Sequence, residues 1–307
     1  MKVSIIIPVY NTAPFLDRSI QSALDQRQTG EVLLIDDRST DGSWEICEAW
    51  VTKNKKVRLF KNDGIKGAGA ARNVGLQNAT FEYIAFLDAD DYYMDGRFNE
   101  DNQVFSHNCD LSATSNTIII NTIKAQKHTG LNAIFENNKK IGSQKSFSTV
   151  SIYDFHQGGT FHLNGLTLKK SVLNKISNFD EGLKQAQDTD FLFRILLTGL
   201  VSSTDVSKAK AVYNIHSENT ISNIPEAVYY RRKAAKKHFH LAIEHKLKLS
   251  LILKFFINFV EYEYLWFWGR SNKLKKFYKV AMLPFFIYRI FSKNDPEYDK
   301  DRKILLS

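Results

Sequence analysis

Three carboxylates crowd into four residues at Asp88-Ala89-Asp90-Asp91, directly after the apolar run Tyr83–Leu87. Carboxylates packed at a strand end repel one another unless a cation joins them. Hard divalent ions such as Mg²⁺ or Mn²⁺ take oxygen ligands, and bind through one or two carboxylates plus substrate phosphates. Such a site can hold a diphosphate and neutralise the charge that develops as it leaves. An isolated D-x-D is more often a solvated acidic turn, so the surroundings decide its weight. Taken singly, Asp188 and His216 have ordinary readings. For Asp188 the plain alternative is a helix N-terminal charge favoured by the dipole; a lone histidine is as often a packed or surface residue. His162, after Gly158-Gly159, reads as structural, although it could line an acceptor site. Asp190 and Arg194, four apart, fit a helix-surface ion pair. Gly67 and Gly69 ease a tight turn, because no phosphate-cradling glycine spacing is present. Cys47 and Cys109 form no metal-ligand spacing and read as buried thiols in a reducing cytoplasm.

The elements that must position these groups alternate as a parallel α/β sheet requires. Val3–Val9 is a continuous β-branched run, suited to a strand covered on both faces, and not a signal peptide. Asn11 or Thr12 can cap the following helix, Pro14 fits its first turn, and Phe15, Ile20 and Leu24 share a face. Glu31–Ile35, Val57–Phe60 and Tyr83–Leu87 continue the strand series, with helices after Ser39–Gly42 and over Ala68–Asn78. The four strands end in Asn11, Asp36-Asp37, Asn62-Asp63 and Asp88–Asp91, and ligands of open α/β sheets sit beyond such carboxyl ends. Past residue 110 the pattern loosens. Leu111–Asn121, Thr160–Lys169 and Lys210–His216 read as strands, 122–146 as a loop or short hairpin, and Leu183–Leu197 as a helix with Leu192, Ile195 and Leu196 on one face.

The blocks Val3–Asn11 (V-S-I-I-I-P-V-Y-N), Ile35–Ser43 (I-D-D-R-S-T-D-G-S), Ala71-Arg72-Asn73 and Phe86–Asp91 (F-L-D-A-D-D) resemble the family 2 glycosyltransferases in order and spacing. The likeness is close over residues 1–95 and looser to about 222. It implies a nucleotide-diphospho-sugar transferase fold and transfer with inversion at the anomeric carbon. It assigns Pro8, Tyr10, Asp37, Arg72 and Asp88 to the nucleotide-sugar, with Tyr10 stacking on the base, Asp37 accepting its ring N–H and Asp36 beside it. Asp90 would hold the metal, Mn²⁺ or Mg²⁺, and His216 would complete that site. An aromatic platform, an acceptor for an imide N–H and a planar cation are what a uridine diphosphate needs. Taken singly, Tyr10 could be an exposed loop aromatic and Arg72 a surface helix charge. The family's acidic pair, typically Glu-Asp, falls on Gln187-Asp188, so Asp188 keeps the general-base position while Gln187 departs from the pattern. No Q-x-x-R-W block follows, which argues against a processive synthase.

The net charge of +9 is concentrated at one end, since residues 225–307 hold 18 Lys/Arg against 8 Asp/Glu. The same segment carries 18 of the 39 aromatics. Leu249–Trp268 has the length of a membrane span but contains Lys254, Glu261 and Glu263, and Ala281–Phe291 is too short to cross a bilayer. Interleaved rings and cations suit an anionic lipid headgroup interface. The alternative is a helical bundle packed on the rest of the chain; nucleic acid is not expected, because no motif for it is present.

The expected architecture is an α/β fold with a mostly parallel central sheet flanked by helices and a mainly helical C-terminal region. Residues 1–222 would form the catalytic domain, with 1–110 the nucleotide-sugar half and 111–222 the acceptor half, and 223–307 the basic, aromatic tail. The expected activity is metal-dependent transfer from a UDP-sugar, as a hexosyl- or N-acetylhexosaminyltransferase. Its acceptor would be a glycan or glycolipid of surface polysaccharide assembly, on the cytoplasmic side of the membrane. A sugar-nucleotide pyrophosphorylase would need a glycine-rich loop after the first strand, where Pro8–Ala13 has no glycine. A catalytically silent glycan- or lipid-binding protein would need neither a carboxylate cluster nor a base.

Overall fold

The computed structural model describes residues 1–116, 118–122, 146–156, 162–216 and 224–268. Most of the expected 122–146 loop and all of Ala281–Phe291 lie outside these described residues. The chain divides into two units: Met1–Gly182 with Phe191–Ser217, and Leu183–Asp190 with Glu218–Ser307.

The first unit opens with β1 (Val3–Val9), α1 (Ala13–Leu24), β2 (Thr29–Asp36), α2 (Ser43–Lys53), β3 (Val57–Lys61), α3 (Ala68–Asn78) and β4 (Tyr83–Phe86). These four strands lie in the order β3-β2-β1-β4, all parallel. The unbroken apolar run of β1 has its expected reason. Val3, Ile5, Ile7 and Val9 pack with Leu16, Ile20 and Trp50 on one face, while Ile6 packs with Leu76, Phe86 and Phe191 on the other. Full burial of each such side chain stabilises by roughly 1.5–3 kcal/mol. Gly75 of α3 allows this helix to close on the sheet, because a Cβ there would lie 2.4 Å from Ile6 Cγ2.

Next come β5 (Tyr92–Tyr93), α4 (Asn99–His107), β6 (Leu111–Ser115), β7 (Ile118–Thr122), β8 (Thr149–Val150) and α5 (Ile152–His156). The unit ends with β9 (Leu166–Lys169), the greater part of α6 (Gln187–Thr198), β10 (Leu200–Ser203) and β11 (Ala211–Ile215). The main sheet has the order β3-β2-β1-β4-β9-β6-β10-β8, and β5-β11-β7 form a small second sheet. Strand β9 runs antiparallel to both β4 and β6, so its first residues lie beside the last residues of β4. The expected single strand Leu111–Asn121 is two, β6 and β7, because the chain changes sheets at Asn116. That residue leaves the ladder because its side chain bonds Asp101 Oδ1 and its N–H donates to the Gly165 carbonyl. Strand β9 starts later than expected because Leu163–Gly165 form a 3₁₀ turn.

Capping of α1 differs from expectation. Thr12 occupies the N-cap without a side-chain bond. The β2–α2 loop supplies the acceptors instead: Asp41 Oδ2 takes the Ala13 N–H at 3.0 Å and Ser43 Oγ the Thr12 N–H at 3.0 Å. Asn11, at φ 50°, accepts the Thr40 N–H at 2.8 Å and ties the two strand ends together. Of the two thiols only Cys47 is buried; burial and the nearby Asp36 charge push it up to about 12, whereas Cys109 is exposed.

The second unit joins Leu183–Asp190 to α7 (Ile224–Glu244) and α8 (Leu249–Trp268). Leu183, Tyr229, Tyr230, Ala234 and Trp266 form its core cluster. Glu263 is a buried partner of Arg232, at 3.0 Å, which explains one charge in the span-like segment. Asp190 is fully buried and pairs with Lys237 at 3.0 Å, so it is not the helix-surface charge expected of it. Arg194, also buried, donates to the Asn178 carbonyl at 2.9 Å and to that of Ser177. Among the described residues, no helix is long and apolar enough to cross a membrane.

Candidate active site

The carboxyl ends of β1, β2 and β4 carry most of the residues singled out in the sequence. Pro8 pairs with Ile35 where β1 has parted from β4, the last β1–β4 partners being Ile6 and Phe86, and a residue without an N–H fits there. Tyr10 follows as an exposed ring at 46%, with Lys66 Nζ 3.8 Å from its centroid. Asp36 accepts the N–H groups of Arg38 and Ser39 in its own turn. Asp37 points elsewhere. Its carboxylate takes Asn62 Nδ2 at 2.7 Å and the Gly67 N–H at 2.8 Å. Gly67 has φ 149°, a backbone state that favours glycine, so its role in the turn is met. Burial raises Asp37 above the usual carboxylate range, against the lowering effect of those two bonds. An ionised carboxylate offers about four acceptor positions, so Asp37 can still take one more N–H.

Arg72 and Asp88 meet directly. Arg72 Nη2 donates to Asp88 Oδ1 at 2.5 Å, from a side chain that is 5% exposed. Arg72 Nε and Nη1 are buried without a hydrogen-bond partner among the described residues. Unmet buried donors of a cation are costly, and an anionic ligand would satisfy them. Arg72 is therefore not the surface helix charge of the alternative reading.

The carboxylate turn separates into distinct environments. The side chains of Asp88 and Asp90 are 24% and 19% exposed, whereas Asp91 is fully buried. Asp91 accepts the Asn214 N–H at 2.7 Å and Asn164 Nδ2 at 2.6 Å. Burial, then the charges of Asp90 and Asp88, raise Asp91 well above its ordinary value. Asp90 is raised by burial and by Asp88, with the His216 contact opposing. Burial also opposes ionisation of Asp88, but the Arg72 guanidinium and His162 hold it below the usual range. His216 Nε2 lies 3.0 Å from Asp90 Oδ2 and its ring stacks on Phe15 at 4.7 Å. His162 Nε2 is 4.0 Å from Asp88 Oδ2, and Asp88, Asp91 and His162 bring one ligand atom each within 4.8 Å of one another.

The donor set fits a hard divalent cation, since like-charged oxygens crowd one solvent-reached corner and repel in its absence. Asp88 and Asp90 are the carboxylates able to meet a ligand; both oxygens of Asp91 already take protein donors. His162 Nδ1 accepts the Asn164 N–H at 3.3 Å while its Nε2 faces Asp88. His216 and His162 thus each bring Nε2 to one carboxylate of the turn, Asp90 and Asp88 respectively.

Sequence reasoning missed Asn164, Asn214 and Arg97, and named Asn62 only as part of a strand end. Asn214 did leave a signal, as a polar residue inside the apolar run Ala211–Ile215, where burial demands partners. Asp188 belongs to the second unit. It stands half-buried in the first turn of α6, with Oδ1 accepting the Thr189 N–H at 2.7 Å.

Residues 4–160, just over half of the chain, match the sequence profile of Glycosyl transferase family 2. The chain belongs to this family. Among its relatives is the minor teichoic acid biosynthesis protein GgaA of Bacillus subtilis, 31% identical over 205 residues, covering 63% of this chain and 43% of GgaA. The Escherichia coli UDP-Glc:alpha-D-GlcNAc-diphosphoundecaprenol beta-1,3-glucosyltransferase WfaP is 42% identical over 93 residues, covering 30% of this chain and 36% of WfaP. These matches span less than half the length of either relative. A structure of S. aureus TarS residues 1–349 with UDP-GlcNAc superposes with a TM-score of 0.65 at 20% identity, covering 94% of this chain and 79% of that one. The family 2 chain thus shares the fold of TarS, and the matched 4–160 segment includes Tyr10, Asp37, Arg72 and the whole carboxylate turn.

Proposed function

We propose that this protein transfers a sugar from a uridine diphosphate donor to an acceptor hydroxyl, inverting the anomeric centre, with residues 1–222 as its catalytic domain. The observation that carries the reading is the pairing of Arg72, with two unmet buried donors, to a turn of carboxylates that repel one another. In this reading Tyr10 stacks on the base once Lys66 swings aside, and Asp37 takes the imide N–H as an added bond. Arg72 donates its free N–H groups to diphosphate oxygens. A divalent cation, Mn²⁺ or Mg²⁺, held by Asp90 with Asp88 and His216, would neutralise the charge that develops on the departing diphosphate. Asp188, in the position of the family's base, takes the acceptor's proton as the acceptor oxygen bonds the anomeric carbon and the carbon–diphosphate bond breaks.

The donor and acceptor classes draw support from relatives. WfaP is named for a UDP-glucose donor and a lipid-diphosphate acceptor, GgaA for teichoic acid biosynthesis, and TarS was solved with UDP-GlcNAc. The donor is accordingly a UDP-hexose or UDP-N-acetylhexosamine, and the acceptor a glycan or glycolipid of surface polysaccharide assembly. The test is a nucleotide-sugar panel with Mn²⁺, read by thermal shift and by released nucleoside diphosphate. A true donor at a hundred times its Kd should stabilise the fold by about 2.7 kcal/mol. Stabilisation by no uridine nucleotide, or by guanosine and adenosine nucleotides equally, rejects the assignment.

A second reading concerns α8. Leu249, Leu253 and Ile257 are exposed at a four-residue spacing, beside the exposed Lys246 and Lys248 and the half-buried Lys254. An apolar stripe edged by cations complements an anionic lipid surface, and this supports reading the protein as peripheral on the cytoplasmic face of the membrane.

A further inference from the structure

The carboxylate turn is gripped from both sides by asparagines. Asn164, fully buried, accepts the Asp88 N–H on Oδ1 at 3.1 Å and donates Nδ2 to Asp91 Oδ2 at 2.6 Å. Asn214, also fully buried, donates its N–H to Asp91 Oδ1 at 2.7 Å and Nδ2 to the Asp90 carbonyl at 2.6 Å. Asn164 thus touches the turn twice with its side chain, Asn214 once with its side chain and once with its backbone N–H, and between them all three aspartates are held. The topology makes this possible. Antiparallel β9 begins beside the end of β4, and antiparallel β11 runs beside β5, which follows the turn.

Asn164 is itself anchored. Its carbonyl accepts Arg97 Nε at 3.0 Å, and Arg97 is a fully buried cation paired to fully buried Asp101 at 2.6 Å. Asp101 also accepts Thr114 Oγ1 at 2.7 Å, Asn116 Nδ2 at 2.8 Å and Thr167 Oγ1 at 2.9 Å, so its charge is well met. A buried ion pair is a poor source of net stability, because desolvation offsets most of the attraction. It is a good source of fixed geometry when every donor and acceptor is used.

The geometry points to Asn164 as a positioning residue that presents Asp88 and Asp90 to the divalent cation, braced through its carbonyl by Arg97 and Asp101. It rests on the metal reading given above. Outer partners of metal ligands set the orientation of those ligands, and their loss typically lowers metal affinity ten- to a hundredfold. Asn164→Ala removes both contacts with the turn. Mn²⁺ binding to the full chain with UDP present, followed by the free-ion magnetic resonance signal, should weaken by roughly ten- to a hundredfold. Glu31→Gln serves as the control, since Glu31 ties β2 to β1 and to the segment before β4 without touching the turn. It should lower the melting temperature while leaving Mn²⁺ affinity within about twofold of wild type. If Asn164→Ala does not fold, Arg97→Lys keeps a cation against Asp101 while removing the Nε donor, and it should weaken Mn²⁺ in the same direction. Wild-type Mn²⁺ affinity in whichever of these variants folds overturns the positioning role. A wild type that binds no Mn²⁺ overturns the metal reading beneath it, and the two failures are told apart by the wild-type trace alone.

Discussion

Arg72 is the residue whose condition is hardest to explain without a ligand. Its Nη2 is paired with Asp88, but Nε and Nη1 are buried and unmet among the described residues. Asp188 is a different case, since its claim rests on its place in the family pattern and on lying in the first turn of α6. Asp188→Asn keeps the shape and removes the proton acceptor. Turnover should fall by roughly 10²–10⁴-fold, the usual worth of a positioned base, while UDP affinity stays near wild type. Steady-state rates and UDP calorimetry on the same preparation check this, and near-normal turnover would move the base elsewhere. Much of the site was legible residue by residue. Asp37, Asp88, Asp90 and His216 stand out by type and by position at strand ends, whereas Arg72, on α3, is picked out only by the family resemblance. Asn164 and Arg97 do not stand out, because an Asn in a turn and an Arg after a glycine have many ordinary readings. Their joint meaning comes from a contact 67 residues apart in sequence, Arg97 Nε to the Asn164 carbonyl.

At the scale of elements, Glu31 shows how one buried side chain fastens several. It accepts Ser4 Oγ at 2.7 Å, both the N–H and hydroxyl of Thr80 at 2.7 Å, and Arg58 Nη1 at 2.7 Å. Burial alone would raise Glu31, but these donors bring it below the ordinary glutamate value. A depressed folded-state value means stability that is present above the unfolded value, about 4.3, and is lost as pH falls through the folded one. Glu31→Gln should therefore cost about 1–3 kcal/mol at pH 7, with the gap to wild type narrowing below about pH 4. Urea melts at both pH values measure it; a gap that widened in acid would contradict the assignment. The parallel half of the sheet was readable from periodicity, because β1 through β4 are apolar runs separated by helices of the right length. The antiparallel insertion of β9 and the sheet change at Asn116 were not. Both are decided by tertiary bonds, to Asp101 and Gly165, that no local pattern contains.

At the scale of the molecule, charge and hydrophobicity are segregated. The segment 225–307 holds 18 of the 42 Lys/Arg and 18 of the 39 aromatics, and the exposed stripe Leu249, Leu253, Ile257 lies within it. If this face meets lipid, the protein should sediment with anionic vesicles in preference to neutral ones. Salt should weaken the binding, since each basic residue near an anionic surface contributes about 1 kcal/mol subject to screening. Leu253→Glu should reduce it at every salt concentration. Equal sedimentation with both vesicle types, or self-association through the stripe without lipid binding, ends the membrane reading. The central claim, a uridine diphosphate site completed by a divalent cation at Asp88 and Asp90, is reached most directly by titrating UDP into the protein. UDP should bind tightly with Mn²⁺, and more weakly by at least about tenfold (some 1.4 kcal/mol) in excess chelator or in a folded Asp90→Ala. UDP affinity that is the same with Mn²⁺, with chelator and in Asp90→Ala would contradict it.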